Sequence, residues 1–131
     1  MIEFHLDPSS GAPTYAQLVQ QVHQALRLGL LVKGDRLPTA AQVVTSLAIN
    51  PNTVLKAYRQ LESEGLVRAR PGLGTFVVGE LTRTDPAAQA KFRRSMANWL
   101  RSAREAGLSA DDIEAIYRLA FRDSFGEEGV A

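Results

Sequence analysis

The chain has 131 residues, 45% of them hydrophobic and 22% charged, with a net charge of +1 and no cysteine. This is a globular composition, about one domain or one small domain with an appendage. The absence of cysteine excludes a disulfide framework and thiolate zinc sites. No apolar run reaches the ~18 residues of a membrane span, and MIEFHLDPSSG lacks the basic-then-apolar order of a signal peptide. A cytoplasmic protein without a membrane partner is therefore expected.

The small net charge hides an order. Between residues 27 and 70 stand seven cations (Arg27, Lys33, Arg36, Lys56, Arg59, Arg68, Arg70) against three anions (Asp35, Glu62, Glu64). Between 83 and 104 stand six (Arg83, Lys91, Arg93, Arg94, Arg101, Arg104) against Asp85 alone. From Glu105 onward seven anions (Glu105, Asp111, Asp112, Glu114, Asp123, Glu127, Glu128) face Arg118 and Arg122. Two basic blocks precede an acidic one.

In chain order, residues 3–6 alternate as a short strand would, and residues 7–13 are turn-rich. TYAQ places Thr14 to cap a helix and Gln17 to complete a capping box. Tyr15, Leu18, Val19, Val22 and Leu26 recur at helical spacing, so a first helix is expected over 15–28, ending near Gly29. LLVKGDRLP holds a Gly-Asp turn. TAAQ repeats the capping signature at Thr39 and Gln42 and opens a second helix over 40–47, with Val43, Val44 and Leu47 apolar. A link of about four residues follows. In the third helix Asn50 is the natural cap. Pro51 suits the first position, where a missing N–H loses no bond. Val54, Ala57, Tyr58 and Leu61 form its buried stripe, and Gly65 ends it. In LVRAR, Val67 and Ala69 alternate with Arg68 and Arg70; PGLG is a turn and TFVV is β-branched and aromatic, so residues 66–78 are a two-stranded hairpin. Residues 79–85 read as a hinge. A fourth helix starts near Pro86, with Phe92, Met96, Trp99, Leu100 and Ala103 at helical spacing, and stops at Gly107. Ser109 and Asp112 open a fifth, with Ile113, Ile116, Tyr117, Ala120 and Phe121 along one face and Gly126 after it.

The fold class is thus mainly α with a small β-hairpin. Three helices and then a hairpin is the order of a winged helix-turn-helix. The second helix of such a pair enters the major groove and its N-terminal residues meet base edges. Asn50, Asn52 and Thr53 stand there. Asparagine pairs bidentately with adenine, and threonine bonds or sets its methyl against thymine. Asn52, Lys56 and Arg59 share a face. Backbone amides at the starts of the second and third helices are placed to take phosphate. Arg68 and Arg70 flank a glycine turn slim enough for a minor groove.

Four blocks, PTYAQL, KGDRLP, LAINPNTVLKAYRQLESEGL and RPGLGTFV, follow in order over residues 13–78. Together they resemble the N-terminal domain of GntR-family bacterial transcription regulators. The INPNTV, KAY, LE and GL wording and the short two-helix tail are similar to the YtrA-type branch. The resemblance implies operator DNA bound as a dimer, a C-terminal part that dimerises and sometimes takes an effector, and repression by default. It assigns the second-helix start to Thr39, the recognition helix to residues 50–59, and the wing tip to Arg70, Gly72, Gly74 and Thr75. The sequence departs from the family at Ala41, Pro51 and Leu55, where arginines that commonly contact DNA often stand. Lys33, Arg36, Lys56, Arg59 and the wing arginines then carry more of the phosphate attraction, and weaker or more salt-sensitive binding is expected.

The expected organisation is a DNA-binding domain at 1–78, a linker at 79–85 and a two-helix segment at 86–131. Two helices alone bury too little to stand independently. A second copy is the economical partner, with Phe92, Met96, Trp99, Leu100, Ile113, Ile116, Tyr117, Ala120 and Phe121 in the interface. The basic fourth and acidic fifth helices are suited to pair, within or across chains. The alternative is a monomer, with the fifth helix folded onto the fourth and onto the winged domain. The tail shows no obvious room for a sugar- or acyl-sized pocket, and a small-molecule effector between protomers stays open.

Enzymes are disfavoured. His5 and His23 have no third metal ligand in register, Asp111, Asp112 and Glu114 suit a helix N-terminus, and PGLG is a hairpin tip, not a phosphate loop. No metal and no cofactor are expected. The remaining rival is a winged-helix module that binds protein without specific DNA binding. Membrane-surface binding through residues 83–104 is less economical than burial of that helix's apolar face in a dimer.

Overall fold

The computed structural model describes residues 1–81 and 85–126. Arg83, Glu127 and Glu128 of the charge blocks, and the middle of the 79–85 hinge, lie outside the described residues. The elements are α1 (Thr14–Arg27), α2 (Ala40–Leu47), α3 (Pro51–Ser63), β1 (Val67–Arg70), β2 (Gly74–Val77), α4 (Pro86–Glu105) and α5 (Ala110–Phe125). They form two compact units, Met1–Pro86 and Ala87–Ala131.

In the first unit α3 is the hub, packing on α1, α2 and β1. Its buried stripe is Val54, Ala57, Tyr58 and Leu61, at the expected spacing. They join Leu18, Val22, Leu37, Val43, Val67 and Val77 in one core, and each fully buried Leu or Val contributes roughly 1.5–3 kcal/mol of apolar burial. Helices α1, α3 and α4 stop the same way. The amide of Gly29, Gly65 or Gly107 bonds the carbonyl three residues back, and the next amide bonds the one five back, at 2.8–3.2 Å. The two bonds satisfy carbonyls orphaned at each helix end. α2 ends on Ala48 at φ 55, in left-handed backbone that normally favours glycine. The link to α3 is only three residues, 48–50, because Pro51 already lies in the helix.

Residues 3–6 are not a strand. The Gln21 side chain accepts from the His5 amide at 2.9 Å and donates to the His5 carbonyl. Gln17 accepts from the Asp7 amide at 2.9 Å and donates to the carbonyls of Asp7 and Ala12. Two amides one helical turn apart thus bond the extended segment as a neighbouring strand would, and Phe4 is buried beneath. The same bonds remove the predicted capping box of α1. Gln17 is committed elsewhere, Pro13 occupies the cap position, and Thr14 is inside the helix without a side-chain cap.

The hairpin is antiparallel, with Val67 opposite Val77 and Arg70 opposite Gly74. Its turn closes by the Leu73 amide on the Arg70 carbonyl at 3.0 Å. Pro71 and Gly72, the latter at φ 75, fill the central positions a type II turn requires. Ala69 is exposed, so on β1 only Val67 faces the core. The segment read as a plain turn supplies a third edge. Arg36 bridges Phe76, the Gly34 amide bonds Val77 O at 2.9 Å, Val77 returns a bond to Asp35 O at 2.8 Å, and Leu37 bonds Thr75 O at 2.9 Å. Nor is Gly79 part of a hinge. Its amide bonds Leu66 O at 3.1 Å, and a Cβ there would stand 2.4 Å from the Gly65 carbonyl oxygen. Leu81 also packs on the core.

In the second unit α5 opens on the predicted capping box of Ser109 and Asp112. Among the described residues of this unit only Ala103 is buried. Phe92 is 69% exposed, Trp99 42% and Phe125 67%; Met96, Leu100, Ile116, Tyr117 and Leu119 are exposed too. Ala120 is exposed, while Ile113 and Phe121 are half-buried. The rings of Tyr117, Phe121 and Phe125 follow one another at centroid distances of 5.6 and 4.7 Å. Glu114 pairs with Arg118 at 2.7 Å within α5, and among the described residues no ion pair joins α4 to α5.

Candidate nucleic-acid interface

The turn between α2 and α3 is held by local chemistry and by one buried bond. Thr39 accepts from the Gln42 amide at 3.1 Å and Gln42 accepts from the Thr39 amide at 2.9 Å. Asn50 accepts from the Asn52 amide at 2.8 Å. The Tyr58 hydroxyl donates to the Pro38 carbonyl at 2.6 Å and fixes the middle of α3 against the entry to α2. Burial pushes that hydroxyl's pKa well above its ordinary value, so it remains a donor.

These bonds correct one expectation. At the start of α3 no amide is left for phosphate: Pro51 has none, Asn52 donates to its cap, and Thr53 donates to the Asn50 carbonyl at 3.0 Å. Of these two helix starts only that of α2, beside Thr39, leaves amides open, since those of Ala40 and Ala41 have no partner among the described residues.

On α3 Asn52, Leu55, Lys56 and Arg59 are exposed and Thr53 is half-buried. The side chain of Asn50 is taken up in capping. Lys56 shares the outward face but leans on α1, with Nζ 3.9 Å from the centroid of the Tyr15 ring. Asn52 and Arg59 have no side-chain partner among the described residues. On the wing, Arg36, Arg68 and Arg70 are exposed. Arg36 lies along Gly74, where φ is 125 and a Cβ would stand 2.8 Å from its Nε. Arg70 lies over the Phe76 ring at 5.3 Å. Thr75 is half-buried, Gly72 is at the tip, and Lys33 is exposed just before the third edge.

The anions near these cations are engaged by backbone. Asp35 accepts from the Val32 amide at 2.9 Å, and Glu62 accepts from the Ala69 amide at 2.8 Å, tying α3 to β1. Glu64 meets His23 Nε2 at 3.1 Å, joining α1 to the end of α3. No local spacing in the sequence signals the contact of His23 with Glu64, 41 residues away.

A helix pair with a tethered turn, an outward face of Asn52 and Arg59, and an arginine-bearing hairpin define a winged helix-turn-helix of the transcription-regulator class. Comparison with known proteins agrees. Residues 14–77 match the profile described as "Bacterial regulatory proteins, gntR family". The chain is 36% identical over 107 residues to the HTH-type transcriptional regulator Rv1152 of Mycobacterium tuberculosis, covering 82% of this chain and 84% of that one. It is 40% identical over 72 residues to the HTH-type transcriptional repressor YtrA of Bacillus subtilis, a match that spans about half of each, 55% and 55%. Among solved structures, the DNA-binding domain of AraR in complex with operator ORX1 is similar at TM-score 0.51 and 27% identity, covering 57% of this chain and 93% of that one. The chain belongs to the gntR family of bacterial regulatory proteins, a family of transcription regulators and not of enzymes, and it is similar to YtrA-type members.

Proposed function

We propose that this regulator binds double-stranded operator DNA of two half-sites as a homodimer in the cytoplasm and represses from it. The observation that carries the reading is the outward face of α3, where Asn52 and Arg59 have no side-chain partner among the described residues, beside a wing whose arginines form no ion pair among them. α3 enters the major groove. Asn52 and Thr53 meet base edges, and Lys56, Arg59, Lys33 and Arg36 meet phosphates. Arg68, Arg70, Gly72, Gly74 and Thr75 follow the backbone and the minor groove, and Thr39 receives a phosphate at the start of α2. Residues 1–81 form the DNA-binding part, and α4 and α5 form the dimer. An effector, where one is used, sits between protomers. The relative seen on its operator supports the DNA partner, and the one named a repressor supports repression.

The test is fluorescence anisotropy on the promoter region upstream of the protein's own gene, with random duplex as competitor, at two salt concentrations. Tight, competitor-resistant binding is expected, with log K falling steeply against log salt. Asn52→Ala is expected to relax base preference. Lys56→Ala is expected to weaken every sequence alike and reduce the salt slope by about 1. Equal, weak binding to both duplexes would instead favour a protein-binding module.

A further inference from the structure

Leu55 is 38% exposed on the outward face of α3, and it is not among the hydrophobics packed on the core. Three residues before it stands Asn52 and four after it Arg59, both on the same face and both without a side-chain partner among the described residues. Lys56, its next neighbour outward, is drawn aside onto Tyr15. The surface of the first two turns is therefore an amide, an isobutyl group and a guanidinium in line. A single exposed leucine is ordinary on a protein surface. Here it lies between two hydrogen-bonding groups, on the part of the helix that meets base edges.

We propose that Leu55 is a specificity residue that reads a thymine methyl. The inference rests on the regulator reading above. The thymine C5 methyl is the apolar group that DNA offers in the major groove. Against it Leu55 removes apolar surface from water on both sides. Against the edge of a G·C pair the same side chain strips water from donors and acceptors and returns no hydrogen bond. Residues three apart on a helix hold their Cβ atoms about 5–6 Å apart, and base pairs rise by about 3.4 Å. The thymine therefore lies one or two base pairs from the base that Asn52 reads.

The experiment selects bound sites from a pool of random duplexes and locates the Asn52-dependent base with Asn52→Ala. Each thymine of the half-site is then replaced by uracil, which removes only the methyl. One uracil, within two base pairs of that base, is expected to lower affinity about fourfold, the worth of one methyl-sized group. Leu55→Ala is expected to bind the thymine site about as weakly as the native chain binds the uracil site, and to be indifferent to the exchange. Tolerance of uracil at every such position, or a uracil penalty that persists in Leu55→Ala, would overturn the role of Leu55 and leave the regulator reading standing. A pool that enriches no site would overturn the regulator reading, and this inference with it.

Discussion

Tyr58 donates to the carbonyl that precedes the cap of α2, so one side chain sets the spacing of the helix-turn-helix. Its burial was legible from the stripe of α3; its partner 20 residues back was not, because a phenol's acceptor leaves no mark in local sequence. Tyr58→Phe keeps the ring and leaves the carbonyl without its donor. Stability is expected to fall by about 1–2 kcal/mol, read as a lower urea midpoint at unchanged slope. Ala48 acts in the opposite direction. It is the non-glycine residue at positive φ among the described residues, and it stands in the turn between the two helices. A left-handed alanine is strained by about 1 kcal/mol. Ala48→Gly is expected to relieve that strain and raise the urea midpoint, provided the gain exceeds glycine's extra unfolded-state entropy of about 0.4–1 kcal/mol. A lower midpoint would mean that the strain relieved is smaller than that entropy cost.

Elements defined by their own residues were readable in the sequence, and those that rely on distant partners were not. TAAQ and the Ser109–Asp112 pair become capping boxes as expected. TYAQ has the same signature and does not, because Gln17 is the right length to reach residues 7 and 12. The third edge of the wing escaped notice because its bonds join residues 34–37 to 75–77, and GDR carries no strand pattern. The box at α5 has a pH consequence. The Ser109 amide, then its hydroxyl, hold the Asp112 carboxyl below its ordinary pKa of 3.8. A depressed carboxyl stabilises the folded form above that ordinary value and ceases to do so as pH falls through the folded pKa. Helicity from α5 is therefore expected to be constant above about pH 5 and to decline below about pH 4. Asp7 is likewise held below its ordinary pKa, first by the Ser9 hydroxyl. Asp112→Asn, which cannot titrate, is thus the control. Its far-UV signal should be lower at neutral pH and lose less on acidification, whereas an acid profile unchanged by the substitution would remove Asp112 as the cause.

At the scale of the molecule the two units differ in kind. Met1–Pro86 has a core of its own; among the described residues of the other unit, only Ala103 is buried. Two helices that leave Phe92, Met96, Trp99, Leu100, Ile116 and Tyr117 in water bury too little to offset their own ordering. The apolar stripe was legible in the sequence, since helical period alone reveals it. Its extension was not: Leu119 and Phe125 add to the exposed surface, and Phe125 prolongs the ring series of Tyr117 and Phe121. On the proposed reading, a symmetric dimer would cover such a face and set two recognition helices on two half-sites. Trp99 is then an aromatic anchor of the kind that dominates interfaces. Trp99→Lys is expected to raise the dimer dissociation constant about 30-fold or more, seen by sedimentation as a shift to monomer at micromolar concentration. Binding to a single half-site should be little changed, while binding to the paired site should fall as linkage between the two heads is lost. If the native chain sediments as a monomer while still preferring the paired site, dimerisation through this face is refuted and the second half-site must be filled by another route.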